Sequence, residues 1–572
     1  MAVPAVVGVD IGTSSSKGVL VGLDGQVIRS ATREHAVDRP RPGWVEMEGE
    51  VWWQEFVDLS RQLLAPSDVD VVAVGVSGMG PCVLPTDEAG TPLRPLILYG
   101  IDARSTPQIA RLNDQLGPEE ILRRWGSALS TQAAAAKVAW VADNEPETFA
   151  RACRLFVPSS WLVLKLTGEY VLDQHSASQC TPLYDTEKRE WYQPWVDLVA
   201  PGLSLPPLRW PGEVAGVITR EAAALTGLPV DIPVITGTID AWAEATSVGA
   251  QGVGDLMLMY GTTMFLINTV PDLVTSPSLW GTVGALPDTR NLAGGMATSG
   301  AITSWLRELF GSLDYAELIN LGERSGPGAN GLLMLPYFAG ERTPVMDPEA
   351  CGVIAGLTLS HTHGDPYRAA LEAIGLGVRH NIETIEEAGG DIRRIVAVGG
   401  GTQGTLWTQI VSDITARPQE IPSQTIGASY GGHSWQHKRS PSSQSRPGTR
   451  SRKPANHARG SPKGTTSSTR RTSIATPPRA PSHTLSQPDR NADDLHRQTT
   501  RRKPLRKAPT DDQLLHARPH RTRQDPGQNR IYGGKRRPAF ECERDLLASP
   551  AEARVRPDRR RHLTRLAGAA WS

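Results

Sequence analysis

Asp10 lies in the run VVGVDIGTSSSKGVLVGLDGQVI, where two apolar, strand-like stretches flank a polar turn that holds Gly12, Thr13, Ser14 and Lys17. Glycine lets backbone N–H groups close on a phosphate oxygen, and a threonine or serine hydroxyl adds a donor. The same residues also make an ordinary tight hairpin, and the turn alone leaves both readings open. It is not a Walker loop, because the GxxxxGK[ST] spacing is absent and a strand follows instead of a helix. Two further glycine turns share the chemistry. YGTT, with Gly261, Thr262 and Thr263, joins two apolar runs in VGDLMLMYGTTMFLINTV. VGGGTQG, with Gly400, Gly401 and Gln403, follows the apolar run RRIVAV and opens a helical pattern, but it lacks the following strand and acidic ribose partner of a dinucleotide fingerprint. Asp240 stands at a strand-to-helix junction in IPVITGTIDAWAEATSVGA, a place where aspartate commonly caps a helix.

The elements that must position these residues are those of a mixed α/β protein. Ala5 to Val27 reads as strand, turn, strand; VDVVAVGVSGMG is a continuous β-branched run of the kind buried on both faces. STQAAAAKVAWVADNEPETFARA reads as one helix and PSSWLVLKLTGE as another, closed by Gly168. A second half opens near Pro233, and its Gly261-Thr262 hairpin repeats the layout of the Gly12-Thr13 hairpin. That layout suggests two related half-domains facing a common cleft.

The 572 residues exceed the roughly 100 to 200 expected per domain, so at least two cores are expected. No apolar run approaches the ~18 residues of a membrane helix, and the start MAVPAVVGVD has no basic leader, so a soluble cytoplasmic protein without a membrane partner is expected. Cys82, Cys153, Cys180, Cys351 and Cys542 are scattered without metal-type spacing, so reduced thiols are expected. The net charge of zero is a cancellation. Of 60 Lys+Arg and 60 Asp+Glu, 32 and 11 fall from Gly431 onward, so an acidic body carries a strongly basic tail. That tail also holds 8 of the 13 histidines and is rich in Ser, Pro and Arg, a bias that cannot build a core and predicts disorder. With few aromatics and no nucleic-acid-binding pattern, it is not expected to bind nucleic acid.

From residue 5 to about 430 the chain resembles the FGGY carbohydrate kinases. The resemblance rests on GVDIGTSSSKGVLVGLDG, RPGWVEMEGEVWW, VGVSGMGP, ILYGIDAR, KVAWVADN, TGTIDAWAEA, YGTT, PYFAGERTPVMDP, GVIAGLTLSHTHGDPYRAALEAIG and VGGGTQGTLWTQIVSDI, in family order. It implies two actin-like (ribonuclease H-like) domains around a cleft: residues 1–245 binding sugar, 246–431 binding nucleotide, and 432–572 as the disordered tail. It implies ATP and Mg²⁺ as cofactors and a small sugar or polyol as partner, a ketose such as a pentulose foremost; a homodimer is also expected. By matching position, Asp10 helps hold the metal. Gly12, Thr13, Ser14 and Lys17 form the first phosphate turn, so that stretch is hairpin and phosphate grip at once. Gly261, Thr262 and Thr263 form the second, Gly400, Gly401 and Gln403 the adenosine side. Asp240 becomes the general base, with Met79, Gly80, Asp102 and Arg104 on the substrate side.

The chain departs from the family at two places. Xylulose-kinase-like members end the strand of VGVSGMGP in Met-His, whereas here Met79 is followed by Gly80 and Pro81. After PSQTIGASYG the family continues into an apolar helix, whereas this chain turns to GHSWQHKRSPSSQSRPGTRSRKP. A reading-frame shift near codon 431 is the simplest expectation, and a catalytically impaired binding protein is the alternative function it implies.

Overall fold

The computed structural model describes residues 2–65, 69–422 and 427–431; the tail from residue 432, with the disorder expected of it, lies outside them. In the first of two mixed sheets, β1 (Val3–Ile11), β2 (Ser15–Gly22) and β3 (Val27–Glu34) form the expected antiparallel meander. β4 (Val69–Gly78) runs parallel to β1. Flanked by strands on both sides, it buries successive residues on both faces from Ala73 onward, which is why its sequence is continuous rather than alternating. β5 (Val214–Val217), β6 (Pro233–Ile235) and β7 (Thr238–Ile239) complete the order β5-β6-β4-β1-β2-β3, with β7 also paired to β4.

The second sheet repeats the plan. β8 (Asp255–Tyr260), β9 (Met264–Val270) and β11 (Arg290–Met296) are antiparallel neighbours, and β10 (Trp280–Val283) adds an edge strand beside β11. β12 (Arg394–Val398) runs parallel to β8, and β13 (Gln419–Glu420) parallel to β12. With the edge strands β5 and β10 left out of the count, and β7 set aside, both sheets read 3-2-1-4-5 from their own first strands. The two Gly-Thr hairpins are equivalent parts of a duplicated, actin-like architecture.

Helices cover the sheets. α1 (Gly49–Leu64) buries Trp52, Trp53 and Phe56 in the core with Val7, Val9 and Val74, so these tryptophans are packing residues. The stretch expected to be one helix is two, α2 (Ala134–Asn144) and α3 (Pro146–Arg151), because Pro146 has no N–H to continue a helix and suits the first position of a new one. α4 (Pro158–Thr167) stops at Gly168, whose left-handed φ of 78° is the expected closing conformation. α5 (Gln174–Ser178) follows, and then α6 (Asp240–Ser247), which sends Trp242 and Ala245 into a core shared with Met257, Ile267, Ala293 and Val396 of the second sheet. α6 is thus clamped against one sheet while its first residue continues directly from β7 of the other. α7 (Gly300–Leu309), α8 (Gly364–Glu387) and α9 (Thr405–Thr415) cover the second sheet. Among the described residues Cys82, Cys153, Cys180 and Cys351 are free thiols, and no helix is long and apolar enough to cross a membrane.

Candidate active site

Three adjacent parallel strands deliver the acidic centre. β1 and β7 both pair with β4, and Asp10 and Thr238 are both in register with Ser77, so Asp10 and Asp240 emerge on either side of the end of β4. The carboxyl ends of parallel strands are where α/β sheets bind ligands, since the loops diverge there. Ser77 Oγ donates to Asp10 Oδ1 at 2.7 Å, and Lys17 lies opposite Asp10 across the β1–β2 pair. Asp240 is the first residue of α6 rather than the residue before it; its Oδ1 accepts from its neighbour, the Ala241 N–H, at 2.7 Å. The expected capping geometry is replaced by a carboxylate at the head of the helix that faces a cavity.

Burial pushes the Asp10 carboxyl above its ordinary range, opposed by the Ser77 hydroxyl and the Lys17 charge. Burial, then the charge of Asp10, push Asp240 up to about 7, with the Ala241 N–H opposing. Glu244, one helical turn on, is likewise pushed to about 7 by burial and then by Asp10. Three carboxylates thus share one poorly solvated region, a place that favours protons and cations. Among the described residues no group of three or more His, Cys, Asp or Glu is arranged to hold a metal ion.

The first glycine turn is anchored by residues that the sequence did not single out. The Gly12 N–H bonds to Ser15 O at 3.0 Å, and the His35 N–H bonds to Ser14 O at 3.1 Å. His35 Nε2 lies 3.0 Å from Gly12 O, its Nδ1 lies 3.0 Å from Glu55 Oε2, and Ser16 Oγ donates to the same Glu55 oxygen at 2.5 Å. Burial alone would lower His35, but the Glu55 carboxylate and the backbone carbonyls outweigh it and raise its pKa. Thr13 Oγ1 meets Tyr99 Oη at 2.9 Å and Met79 Sδ at 3.9 Å.

Two cavities meet at the second glycine turn. Asp240, Gly80 and Tyr99 line the smaller, with Gln132, Gln179, Trp242, Trp280 and Arg342. Thr263 also lines it, while Gly261 and Thr262 line the larger cavity of about 530 Å³ together with Gly400, Gly401 and Gln403. The carbonyl of Gly261 accepts from Gly300 N and Ser299 Oγ, and that of Thr262 from Ser299 N and Ala301 N, which tie the turn to the start of α7. The residues expected on the adenosine side therefore share a cavity with the second glycine turn, and Asp240 lies in the neighbouring one.

Asp102 and Arg104 do not line either cavity. Their side chains are wholly buried, Arg104 gripping Asp102 through Nε and Nη2 and reaching Glu46 at 2.6 Å, with its guanidinium 4.2 Å above the Trp44 ring. Asp102 also accepts from the Val45 N–H at 2.6 Å. This is an internal brace, neither a solvated loop pair nor a direct wall of the site. Met79 is buried behind Thr13, and only Gly80 of that pair reaches the cavity. A side chain at position 80 would begin 2.7 Å from Ile239 Cγ1, so the cavity wall is shaped around its absence. Tyr99 and Arg342 went unassigned because the sequence places them in a loop before an Asp/Arg pair and in PYFAGERTPVMDP. Only folding turns those loops toward Asp240.

Two duplicated sheets open the carboxyl ends of their parallel strands onto adjoining cavities, which places the candidate site between two α/β domains. Residues 5–247 match the model of the FGGY family of carbohydrate kinases, N-terminal domain, and residues 256–433 that of its C-terminal domain. The chain is 30% identical over 428 residues to the xylulose kinase of Escherichia coli (strain K12), covering 74% of this chain and 86% of that protein. It is 31% identical over 451 residues to the glycerol kinase of Nocardia farcinica, covering 74% and 89% respectively. It is also similar to the crystal structure of xylulose kinase from Rhodospirillum rubrum, with TM-score 0.70, 32% identity and coverage of 76% of this chain and 89% of that one. The chain belongs to the FGGY family of carbohydrate kinases.

Proposed function

We propose that the protein transfers the γ-phosphoryl group of ATP to a hydroxyl of a sugar or polyol, a ketose such as a pentulose foremost, with Asp240 as general base. The carrying observation is that Asp240 and the Gly400, Gly401 and Gln403 turn lie in adjoining cavities joined by residues 261–263. The acceptor occupies the Asp240 cavity and the nucleotide the larger one. Asp240 takes the hydroxyl proton as the oxygen attacks phosphorus, and its raised pKa makes it a stronger proton acceptor than an exposed carboxylate. Gly12, Thr13, Ser14 and Lys17 face the phosphates from one side, and Gly261, Thr262 and Thr263 from the other.

Asp10 is the residue that would hold Mg²⁺. Ser77 occupies one of its oxygens, and Mg²⁺ bound through one or two carboxylates plus phosphates and waters needs no cage of protein ligands. When bound, the ion neutralises phosphate charge. Met79 and Gly80 shape the acceptor end, and Asp102 and Arg104 hold the loop that carries Tyr99. The relatives' names span xylulose and glycerol. Gly80, where the xylulose-kinase-like pattern has histidine, removes one acceptor contact and supports a ketose or polyol without singling out xylulose. The division into residues 1–245, 246–431 and 432–572 belongs to the same proposal.

The compositional break at Gly431 supports a second reading, a chain on the same fold that binds but turns over poorly. The family match ends at residue 433, beside that break. ADP release from Mg-ATP against pentuloses, hexuloses, alditols and glycerol tests both. A ketose or polyol should raise ADP release well above ATP hydrolysis alone; no response to any acceptor, with binding retained, establishes the second reading.

A further inference from the structure

Arg342 is the cation of the Asp240 cavity. Of the 20 residues that line it, only Asp240 and Arg342 are charged. Its neighbours on either side are pinned. Glu341 Oε1 accepts from the Ala297 N–H at 2.8 Å and from the Arg342 N–H at 2.7 Å, while Thr343 Oγ1 bonds the Gly295 N–H at 2.5 Å and Asn381 Oδ1 at 2.6 Å. The backbone beneath Arg342 is thereby fixed to β11 and α8. Among the described residues, no carboxylate forms an ion pair with its guanidinium and no acceptor takes a hydrogen bond from it, unlike Arg94, Arg104 and Arg124, each of which is paired. Burial lowers its pKa, with Tyr99 and then Glu341 opposing. A largely desolvated guanidinium without an anion is costly, and a fork of N–H donors suits phosphate oxygens.

We propose that Arg342 binds the phosphoryl group in transit, contacting its non-bridging oxygens as the acceptor O–P bond forms, the bond to the nucleotide's leaving oxygen breaks and the acceptor proton passes to Asp240. This rests on the kinase reading. Tyr99 and Thr263, which line the same cavity, bound the space on the sides of the two glycine turns. The assignment makes Arg342 a transition-state contact, not an acceptor-recognition residue.

Inorganic phosphate is the direct probe, read on the full chain through the fluorescence of Trp242 and Trp280, which also line the cavity. Arg342→Gln should weaken phosphate binding about tenfold or more, and Arg342→Lys, which keeps charge but loses the fork, should fall between. In turnover with Mg-ATP and the best acceptor, kcat should drop about 10²-fold with the acceptor KM changed less than threefold. Phosphate binding that depends on Arg342 in a chain without turnover would sink the kinase reading and support this site. Equal phosphate binding by wild type and Arg342→Gln, no phosphate binding by wild type, or a loss confined to acceptor KM would each overturn the proposal.

Discussion

Asp240 and Asp10 emerge beside one another because two strands pair with opposite edges of β4, and neither can ionise without regard to the other. Asp240→Asn keeps volume and removes the proposed base, so phosphorylation should fall by roughly 10²-fold or more while acceptor binding persists, as kinetics and calorimetry will show. The pH dependence has a definite sign. Asp240 is raised from 3.8 to about 7 in the folded chain, so its protonated form stabilises the fold below pH ~4, and that contribution is lost as pH rises through about 7. Asp240→Asn should therefore melt above wild type at pH 8 and not at pH 4, and the wild-type rate should have an acid limb near pH 7. Thr262→Val removes a hydroxyl from the larger cavity and should raise the KM for ATP several-fold with the acceptor KM unmoved. An altered acceptor KM alone would reverse the assignment of the two cavities.

At the scale of elements, the site depends on where turns are held. Gly399 links β12 to the Gly400–Gln403 turn with φ of 91°, and an added Cβ would stand 2.6 Å from the carbonyl of Tyr260, the residue before the second glycine turn. That close approach presses the two turns into one cavity. Gly399→Ala should cost about 1–3 kcal/mol from backbone strain alone and weaken nucleotide binding more than acceptor binding. Denaturant unfolding measures the first effect, and nucleotide titration the second. The expected elements around the turns were legible because strand, glycine turn and strand leave an alternation of apolar and permissive residues. The split of one expected helix at Pro146 was not read from the sequence, although proline's missing N–H marks the break. His35 was not, because its partners Glu55 and Gly12 lie 20 and 23 residues away and meet it only when α1 packs on the meander.

At the scale of the whole molecule, residues 427–431 return to the first sheet. Tyr430 Oη donates to Gly25 O at 2.9 Å, and a Cβ on Gly8 would begin 1.9 Å from Ser429 O. A Cβ on Gly431 would begin 2.3 Å from Ala243 O, on the helix headed by Asp240. The chain thus reaches the helix headed by Asp240 where its composition changes. If a frame shift lies near codon 431, another frame of the coding DNA encodes an apolar, helix-patterned continuation there; its absence would mean that the basic tail has a role of its own. Acceptor and nucleotide together should close the two sheets on each other, because water near the γ-phosphate competes with the acceptor hydroxyl. Small-angle scattering should show a smaller radius of gyration with both ligands than with either, and an unchanged radius would count against closure.

The sequence by itself determined the duplicated strand-turn-strand units, the order of the family motifs, Asp10, Asp240 and the three glycine turns, and the break at Gly431. All of these are local, carried by residue type and short spacing. Only the tertiary structure decided that Asp102 and Arg104 brace the interior and that Arg342 lines the same cavity as Asp240. It also decided that Gly261 and Thr262 line one cavity while Thr263 lines its neighbour. These depend on contacts between residues as far apart in the chain as Gly80 and Arg342, and on which side of a packed backbone each side chain leaves. An ion pair written as IDAR is the same four letters on a surface loop or in a core, and the burial that separates the two comes from the rest of the chain.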